Sequence, residues 1–413
     1  MLAPSRYFLI DYFKNLRKKM YSRQAETVIQ RLATKFPVLS ITGPRQSGKT
    51  TIVKELFKNH NYVLLEHVDE REYAINDPRG FLKKYRNDYG LIIDEVQYAP
   101  QLLSYIQGIV DEENTPGYFI LTGSQDFSVN EAITQSLAGR VGIITLLPLS
   151  IVELNVNQLL PESLEEAVFL GGYPRLYNQV IEPTDFYPSY IKTYVERDVR
   201  QLINVTDLDT FQKFIRLCAG RTGQVLNLTS LGNDCGISHN TAKAWISILQ
   251  ASYIVFLLQP YHGNFGKRLI KSPKLYFYDS GLACSLLRIK SVDELSDHYN
   301  KGGLVEGFII ADIYKQYCNS GQEPDIFFWR DTQGHEIDCI LERSNNRLIP
   351  IEIKAGQTFN PSFFDALTYW KNNVVEDSTI RGFVIYAGSQ EQSREQGEVV
   401  NWKSVGQLLK MLV

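Results

Sequence analysis

The chain has 413 residues, of which 44% are hydrophobic and 22% are charged, and its formal net charge is −3. At roughly 100–200 residues per domain, this length predicts two to four domains of a soluble globular protein. The charge excludes a polycation, so any nucleic-acid contact must come from a local basic patch.

The five cysteines are scattered and form no Cys-x-x-Cys pair. This spacing argues against a disulfide framework or a zinc site and favours a reducing, cytoplasmic location. No apolar run approaches the roughly 20 residues of a membrane span, so we expect no integral membrane association. The apolar stretch Tyr7–Tyr12 precedes its basic residues, the reverse of a secretory signal. We therefore predict a leading helical extension at residues 1–22, with peripheral membrane contact as the alternative.

Residues 37–150, within a predicted domain at residues 23–155, alternate between short apolar runs and amphipathic segments. The helical segments include Thr50–Lys58 and Ala99–Glu112. Strands alternating with helices predict an α/β fold with a mostly parallel sheet. The predicted strands are Val38–Thr42, Tyr62–Leu65, Leu91–Asp94, Tyr118–Thr122 and Gly142–Leu146.

A glycine-rich segment between the first strand and the next helix matches G-x-x-x-x-G-K-[ST] at every fixed position. Such a loop turns backbone N–H groups toward phosphate oxygens, and the helix adds its positive N-terminal end. Lys49 is predicted to reach the β- and γ-phosphates, and the Thr50 hydroxyl to bind magnesium. A chance glycine-rich turn is the alternative. The predicted ligand is ATP with Mg²⁺, bound by Gly43, Pro44, Arg45, Gln46, Ser47, Gly48, Lys49, Thr50 and Thr51.

Two acids end the apolar strand Leu91–Asp94. Asp94 is placed to hold magnesium, directly or through water, and Glu95 to orient and polarise the attacking water. Ser124 ends another strand and is a candidate contact for the γ-phosphate or that water. A strand-terminating turn is the alternative reading of Ser124.

Three arginines are candidates for a cation that a neighbouring subunit delivers to the γ-phosphate. They are Arg140, Arg175 and Arg197. A surface or ion-paired arginine is the alternative for each of them.

Six segments together carry a resemblance to a known family. They are Thr42–Thr51, Asp94–Gln97, Leu121–Ser124, Leu137–Arg140, Gly171–Pro174 and Tyr194–Val199. The combination resembles the AAA-type ATPases of prokaryotes, in the group coupled to a C-terminal domain of unknown function, over about residues 22–400. The resemblance implies Asp94 and Glu95 as the second acidic motif, Ser124 as a sensor, and a homo-oligomer. It also implies that Asp279–Leu282 forms a structural corner.

Residues 156–220 show helical periodicity and predict a helical lid or linker region, with helices at Leu164–Leu170, Pro188–Leu202 and Thr210–Ala219. Residues 221–290 predict a winged helix–turn–helix. Its helices are Leu228–Cys235 and His239–Leu249, capped by Thr229 and Ser238, and its wing strands are Tyr253–Leu258 and Lys274–Tyr278.

This module offers two sets of candidate DNA contacts, for helix and wing. The helix presents Asn240, Thr241, Lys243 and Trp245, and the wing presents His262, Lys267, Arg268, Lys271 and Lys274. A lid or protein-contact module with a solvated basic loop is the alternative.

Residues 300–413 are predicted to form an α/β domain in the order helix, strand, strand, strand, helix, strand. Glu306 lies in the helical run Leu304–Tyr317, and Asp338 on a strand. Glu352 and Lys354 lie two residues apart on the next strand, so they point to the same face. Three acids and a lysine on one face suit one or two magnesium ions and metal-assisted phosphodiester cleavage.

This spacing resembles the PD-(D/E)-x-K nuclease superfamily, including archaeal Holliday-junction resolvases, over roughly residues 303–390. The resemblance implies a restriction-endonuclease-like fold, with Gln357 as a candidate polar residue on the following helix. The alternative is an exposed Glu-x-Lys on an edge strand.

Two functional hypotheses follow. The first is an ATP-hydrolysing, DNA-associated AAA-type protein with a nuclease-like C-terminal domain that acts on branched or double-stranded DNA. The second is a nucleotide-dependent switch or scaffold that assembles or binds protein partners without cleaving DNA.

Overall fold

The computed structural model describes residues 20–124, 136–179, 181–199, 207–261, 270–343, 347–374 and 381–412, with the backbone alone at 196–199. The α-helices are α1 (Ala25–Ala33), α2 (Lys49–Leu56), α3 (Val68–Asn76), α4 (Pro78–Tyr85), α5 (Leu102–Glu113), α6 (Ile151–Val156), α7 (Leu164–Leu170), α8 (Pro174–Gln179), α9 (Pro183–Tyr190), α10 (Leu208–Ala219), α11 (Leu228–Cys235), α12 (His239–Ala251), α13 (Ser280–Leu286), α14 (Val292–Ser296), α15 (Lys301–Ser320), α16 (Asp365–Asn373) and α17 (Val405–Leu412). A π-helix at Ile191–Val199 continues α9, and 3-10 helices lie at Val96–Tyr98, Pro361–Phe364 and Trp402–Ser404. The strands are β1 (Val38–Thr42), β2 (Asn61–Leu64), β3 (Leu91–Asp94), β4 (Phe119–Gly123), β5 (Val141–Thr145), β6 (Val255–Leu258), β7 (Lys274–Phe277), β8 (Ile326–Arg330), β9 (Glu336–Arg343), β10 (Arg347–Lys354), β11 (Gly382–Tyr386), β12 (Gln392–Ser393) and β13 (Gly397–Asn401). Nearly all of the predicted leading extension lies outside the described residues.

Strands β1 to β5 form a fully parallel sheet in the order β2-β3-β4-β1-β5, as the alternation of strands and helices predicts. β1 and β3 have the predicted bounds, and the other three strands are shifted by one residue. The apolar pattern does not predict α3, because this helix is largely charged and buries only Ala74.

Helices cover both faces of the parallel sheet. On one face, Ile29 of α1 and Ile52 of α2 pack against Ile41. On the other face, helices α4 and α5 contribute Phe81 and Ile106 to a second apolar cluster. Each such fully buried side chain stabilises the fold by about 1.5–3 kcal/mol.

The carboxyl ends of β1, β3 and β4 lie at one edge of this sheet. Thr42 is level with Gly123, and Leu64 is level with Asp94. The loops that follow these strands therefore meet, which brings the glycine-rich loop close to the acidic strand end.

A second core, separate from the two apolar clusters on the parallel sheet, is formed by buried side chains between Leu147 and Leu409. The long helix α15 runs through it, and one face of the C-terminal sheet contributes to it. At the predicted structural corner, Asp279 accepts hydrogen bonds from Gly172 N at 2.7 Å and from the Tyr187 hydroxyl at 2.6 Å. The corner prediction is therefore confirmed, because this buried carboxylate ties α7, α9 and α13 together.

The order helix, turn, helix and antiparallel hairpin follows the prediction for residues 221–290. The cap of its first helix differs from the prediction. Asn227, and not Thr229, caps α11 by accepting a hydrogen bond from Ser230 N, whereas Ser238 caps α12 as expected. The predicted helix Pro188–Leu202 begins instead at Pro183 and changes to a π-helix after Tyr190.

The C-terminal sheet has the order β12-β13-β11-β10-β9-β8. Strands β9 and β10 are antiparallel, and β10, β11 and β13 are parallel. Gln357 lies in the connection after β10 and not on a helix, so its predicted position is wrong. The five cysteines are buried free thiols. Across the described ranges, no helix combines the length and apolar character needed to cross a bilayer.

Candidate functional site

The segment Gly43–Thr50 leaves β1 and enters α2 as a loop with unusual backbone angles. Gly43 has φ +141°, and a Cβ there would lie 2.2 Å from the Leu146 carbonyl oxygen. Gly48 has φ +100° at the start of α2. A side chain at either glycine would be strained, so the loop needs glycine at both positions.

Lys49 lies beneath this loop, 5% exposed. Its ammonium donates hydrogen bonds to the carbonyl oxygens of Gly43 and Pro44, each at 2.9 Å. Burial lowers the pKa of Lys49 to about 8, although the nearby Glu95 and Asp94 oppose that effect. A buried cation with only neutral partners is suited to an anionic ligand.

Asp94, at the end of β3, is 1% exposed and accepts three side-chain hydrogen bonds. The hydroxyls of Thr50 and Tyr62 each donate to Oδ2 at 2.7 Å. Thr122 of β4 donates to the other oxygen. The structure thus brings Thr50 and Asp94 together, as the motif predicts.

Glu95 follows directly, in the left-handed conformation with φ +60°. The Ser124 hydroxyl donates to Glu95 Oε2 at 3.1 Å, and the Gln97 amide donates to Ser124 Oγ at 3.2 Å. Gln97 also donates to Glu95. These three side chains form a small polar ring that holds the Glu95 carboxylate at the edge of the sheet.

Arg23 supports the loop from outside it. Its guanidinium donates to the carbonyl oxygens of Ser47 at 2.8 Å and Leu147 at 2.6 Å, and it pairs with Glu153 at 2.9 Å. Arg23 is 7% exposed. A buried, fully paired arginine therefore fixes the loop backbone just before Gly48.

Tyrosines from the second core reach the same region. The Tyr190 hydroxyl lies 3.4 Å from the Arg45 carbonyl oxygen. Tyr194 lies 3.3 Å from the Ser124 carbonyl oxygen and donates to that of Ser252 at 2.9 Å. Helix α9 and the π-helix that continues it therefore contact the glycine-rich loop and the end of β4.

The candidate arginines do not converge on this site. Arg140 immediately precedes β5 at the amino edge of the sheet, where its carbonyl accepts a hydrogen bond from Val38 N at 3.2 Å. Its half-exposed guanidinium pairs with Asp111 of the same chain. Arg175 is exposed. The side chain of Arg197 lies outside the described residues. Within one chain, Arg140 is thus at the edge opposite the loop.

The four predicted groups of the C-terminal cluster do come together. Ile353 N donates to Asp338 Oδ2 at 2.8 Å, and the Lys354 ammonium donates to Glu352 Oε2 at 2.6 Å. Burial, then repulsion from Asp338, raises the pKa of Glu306 to about 7 and that of Glu352 to about 8. Glu352 is 3% exposed, so the alternative of an exposed Glu-x-Lys pair is wrong for this residue.

Lys274 begins β7, the second predicted wing strand, but its ammonium lies in this carboxylate cluster. It is buried and pairs with Glu306 at 2.8 Å and with Glu336. Burial lowers its pKa, but the surrounding carboxylates outweigh that effect and raise it. Lys274 is therefore unavailable to DNA, and the acidic cluster already holds a cation. For this reason the residues do not fit the predicted magnesium ions.

The other residues predicted to contact DNA differ in their exposure to solvent. Lys243 and Lys271 are exposed. Trp245 is 7% exposed and packs edge-on against Phe211 and Phe214, so it belongs to the core and does not read DNA. His262, Lys267 and Arg268 lie outside the described residues.

Comparison with known families divides the chain into three segments. Residues 35–155 match the model of a family described as an AAA domain. Residues 35–155 form an AAA-type P-loop domain. Residues 161–293 and 301–405 match two domains of unknown function, DUF8612 and DUF4143.

Two relatives that match most of the chain are uncharacterized proteins. An uncharacterized protein of Mycobacterium tuberculosis is 28% identical over 373 residues, which cover 89% of this chain and 80% of the relative. An uncharacterized protein of Methanocaldococcus jannaschii is 24% identical over 365 residues, covering 76% and 75% respectively.

Two solved structures are also similar to part of the chain. The Walker-type ATPase of Pyrococcus abyssi has 16% identity and a TM-score of 0.44, over 66% of this chain and 97% of that one. The RuvB Holliday junction branch migration motor of Thermotoga maritima has 17% identity and a TM-score of 0.27, over 60% and 91%.

The AAA domain has a donor set that fits magnesium and a nucleotide. Thr50 and Asp94 offer hard oxygen ligands, the kind that magnesium prefers. Ser47 Oγ in the loop and Gln97 Oε1 beside Glu95 are buried without a hydrogen-bond partner among the described residues. Such unsatisfied atoms are uncommon in native folds and indicate groups that a ligand or water completes.

The sequence motifs do not predict several residues that contact the site of the AAA domain. Thr122 lies inside the segment Leu121–Ser124, so its position at a strand end was a usable signal. Arg23 and Tyr62 have no motif, because only the fold brings them to Ser47 and Asp94.

Proposed function

We propose that this chain binds and hydrolyses magnesium-ATP at the AAA domain. The observation that carries the proposal is the contact of Thr50 with Asp94 at 2.7 Å, beside a buried Lys49 and the Glu95 ring. These are the parts that a P-loop hydrolase needs: a phosphate cradle, a magnesium site and a polarising carboxylate.

Each side chain has a separate role in this proposal. Lys49 leaves the loop carbonyls and neutralises phosphate charge, and Thr50 and Asp94 hold magnesium, which supplies further charge neutralisation when bound. Glu95 orients and polarises the attacking water. Ser124 and Gln97 keep the Glu95 carboxylate in one orientation, so they position a catalytic group rather than act on the phosphate.

Paired measurements of binding and turnover test this assignment. Lys49→Ala should abolish ATP binding in calorimetry and also turnover, whereas Glu95→Gln should retain binding and lose turnover. Glu112→Gln, an exposed position near the end of α5, should keep normal turnover and serves as the control. Normal turnover in both site variants would overturn the proposal.

The proposal extends to a homo-oligomer in which one subunit supplies an arginine to its neighbour. Arg140 supports this, since it lies far from the loop of its own chain and is partly exposed. Two inactive variants, Glu95→Gln and Arg140→Ala, should regain turnover when mixed if Arg140 acts across subunits. Absence of recovery in a mixture that co-assembles by sizing would shift the role to Arg175 or Arg197.

We also propose that residues 221–290 bind DNA through α12 and the hairpin. The exposed Lys243 and Lys271 support phosphate contact. Charge reversal at these two residues, and at Lys267 and Arg268, should weaken binding at every sequence and reduce the salt slope by about 1 per lost contact. Lys58→Glu, an exposed residue after α2, is the control.

The rival function is a nucleotide-dependent switch or scaffold without DNA cleavage. Lys274 specifically favours it, because a cation of the chain fills the carboxylate cluster. Branched and linear DNA incubated with magnesium or manganese separates the two hypotheses. Cleavage that disappears in Asp338→Ala supports the nuclease, and no cleavage, or cleavage unchanged in Asp338→Ala, supports the switch.

A further inference from the structure

The C-terminal carboxylate cluster contains a cation that the chain itself supplies. Lys274 Nζ lies 2.8 Å from Glu306 Oε1 and also pairs with Glu336, and the side chain is 1% exposed. An ammonium group is a compact charge with three donors and no acceptor. Buried among carboxylates, it satisfies the same electrostatic need that a metal ion would.

Three carboxylates in this cluster are close enough to share one ion. Oxygens of Glu306, Glu336 and Asp338 lie within 4.8 Å of one another. Two of these three residues already pair with Lys274. A divalent ion bound to the same oxygens would lie beside the ammonium, where like charges repel strongly in a buried site. It would therefore have to displace the lysine.

The backbone keeps Lys274 in this position. The next residue, Leu275, accepts a hydrogen bond from Gly223 N at 2.9 Å. Tyr276, on the same face of β7, donates its hydroxyl to Glu306. Strand β7 is therefore held on one side by the segment between α10 and α11, and on the other side by α15.

The remaining charges of the cluster are also paired. Lys354 binds Glu352 at 2.6 Å, and Arg330 binds Glu336 at 3.0 Å. Four carboxylates, including that of Asp338, thus face three cations. This near balance leaves little attraction for an added divalent ion.

We infer that Lys274 is the resident cation of this cluster and excludes divalent metal from it in this chain. The cluster then joins the hairpin β6–β7 to the C-terminal domain. The same hairpin is preceded by Tyr253, whose hydroxyl donates to Thr42 Oγ1 at 2.8 Å, at the end of β1. Opening the cluster would require movement of a segment that also contacts the AAA domain. This inference does not depend on ATP hydrolysis.

Manganese binding to the nucleotide-free protein, followed by electron paramagnetic resonance, tests the inference. Wild type and Asp338→Asn should give the same Mn²⁺ titration, because the cluster takes no metal in either. Lys274→Met should bind an additional Mn²⁺ ion per chain, and Lys274→Met/Asp338→Asn should lose it. Lys274→Arg, which keeps the charge, should bind no additional ion.

Two outcomes would overturn the inference. One is a wild-type Mn²⁺ site that Asp338→Asn removes, since the cluster would then accept metal with Lys274 in place. The other is a folded Lys274→Met protein with no additional site. If Lys274→Met does not fold, the wild-type and Asp338→Asn titrations alone decide, with identical curves supporting the inference.

Discussion

The Arg23 guanidinium donates a hydrogen bond to the Ser47 carbonyl oxygen at 2.8 Å, one residue before the glycine that starts α2. The same side chain pairs with Glu153 at 2.9 Å, just after the parallel sheet. The phosphate loop is thus braced by a residue that precedes the AAA domain in sequence.

We expect Arg23→Met to destabilise the protein strongly, since the buried Glu153 carboxylate would lose its charged partner. Breaking a buried ion pair from one side typically costs about 3–5 kcal/mol. Urea denaturation should show this loss, and Arg23→Met/Glu153→Gln should recover part of it. An Arg23→Met protein as stable as wild type would contradict the prediction.

Ser124→Ala should lower kcat by up to about 100-fold, because misplacing a catalytic group slightly can have that effect. The ATP dissociation constant should change little, since Ser124 contacts Glu95 and not the loop. Steady-state kinetics with calorimetry checks both. Ser104→Ala, exposed on α5, is the matched control. A weakened affinity with unchanged kcat would contradict the positioning role.

Gly171→Ala should destabilise the protein far more than Gly236→Ala. Both glycines have positive φ, +68° and +75°. A Cβ at Gly171 would lie 2.3 Å from the Tyr187 hydroxyl, whereas at Gly236 nothing lies within 4 Å. Gly236→Ala should therefore cost only the roughly 1–2 kcal/mol of left-handed strain. Equal losses in chemical denaturation would show that the corner around Asp279 adjusts freely.

Asp312 should make stability depend on pH in the acid range. Burial raises its pKa from 3.8 to about 6, although Lys315 opposes this. Between these values the folded state binds more protons, so its stabilising contribution is present below about pH 4 and is lost as the pH rises through about 6.

Comparing wild type with Asp312→Asn isolates this effect, because asparagine can still accept the hydrogen bond from Ile151 N. The free energy of unfolding of wild type relative to the variant should fall by roughly 2 kcal/mol as the pH rises from 4 to 7. Urea denaturation at several pH values measures it. A difference that does not change with pH would contradict the prediction.

Local sequence patterns are enough to predict the parallel sheet and its phosphate loop. Apolar runs mark β1 and β3 to the residue, and the glycine spacing of Gly43 and Gly48 matches the positive φ angles observed. Alternation along β9 and β10 also brings Asp338 beside Glu352, because strand geometry is regular. The apolar pattern does not predict α3, because the exposed, charged sequence of this helix has no apolar repeat.

The sequence by itself therefore determined where the phosphate-loop motif lies, because that motif is a short, contiguous stretch whose backbone geometry follows from its glycines. Only the tertiary structure decided which distant side chains complete or block each site. Arg23 reaches Ser47, Arg140 lies at the opposite edge of the sheet, and the side chain of Lys274 on β7 pairs with carboxylates of the C-terminal domain. The physical reason is that ion pairs between distant segments depend on how cores pack, and no local spacing encodes that packing.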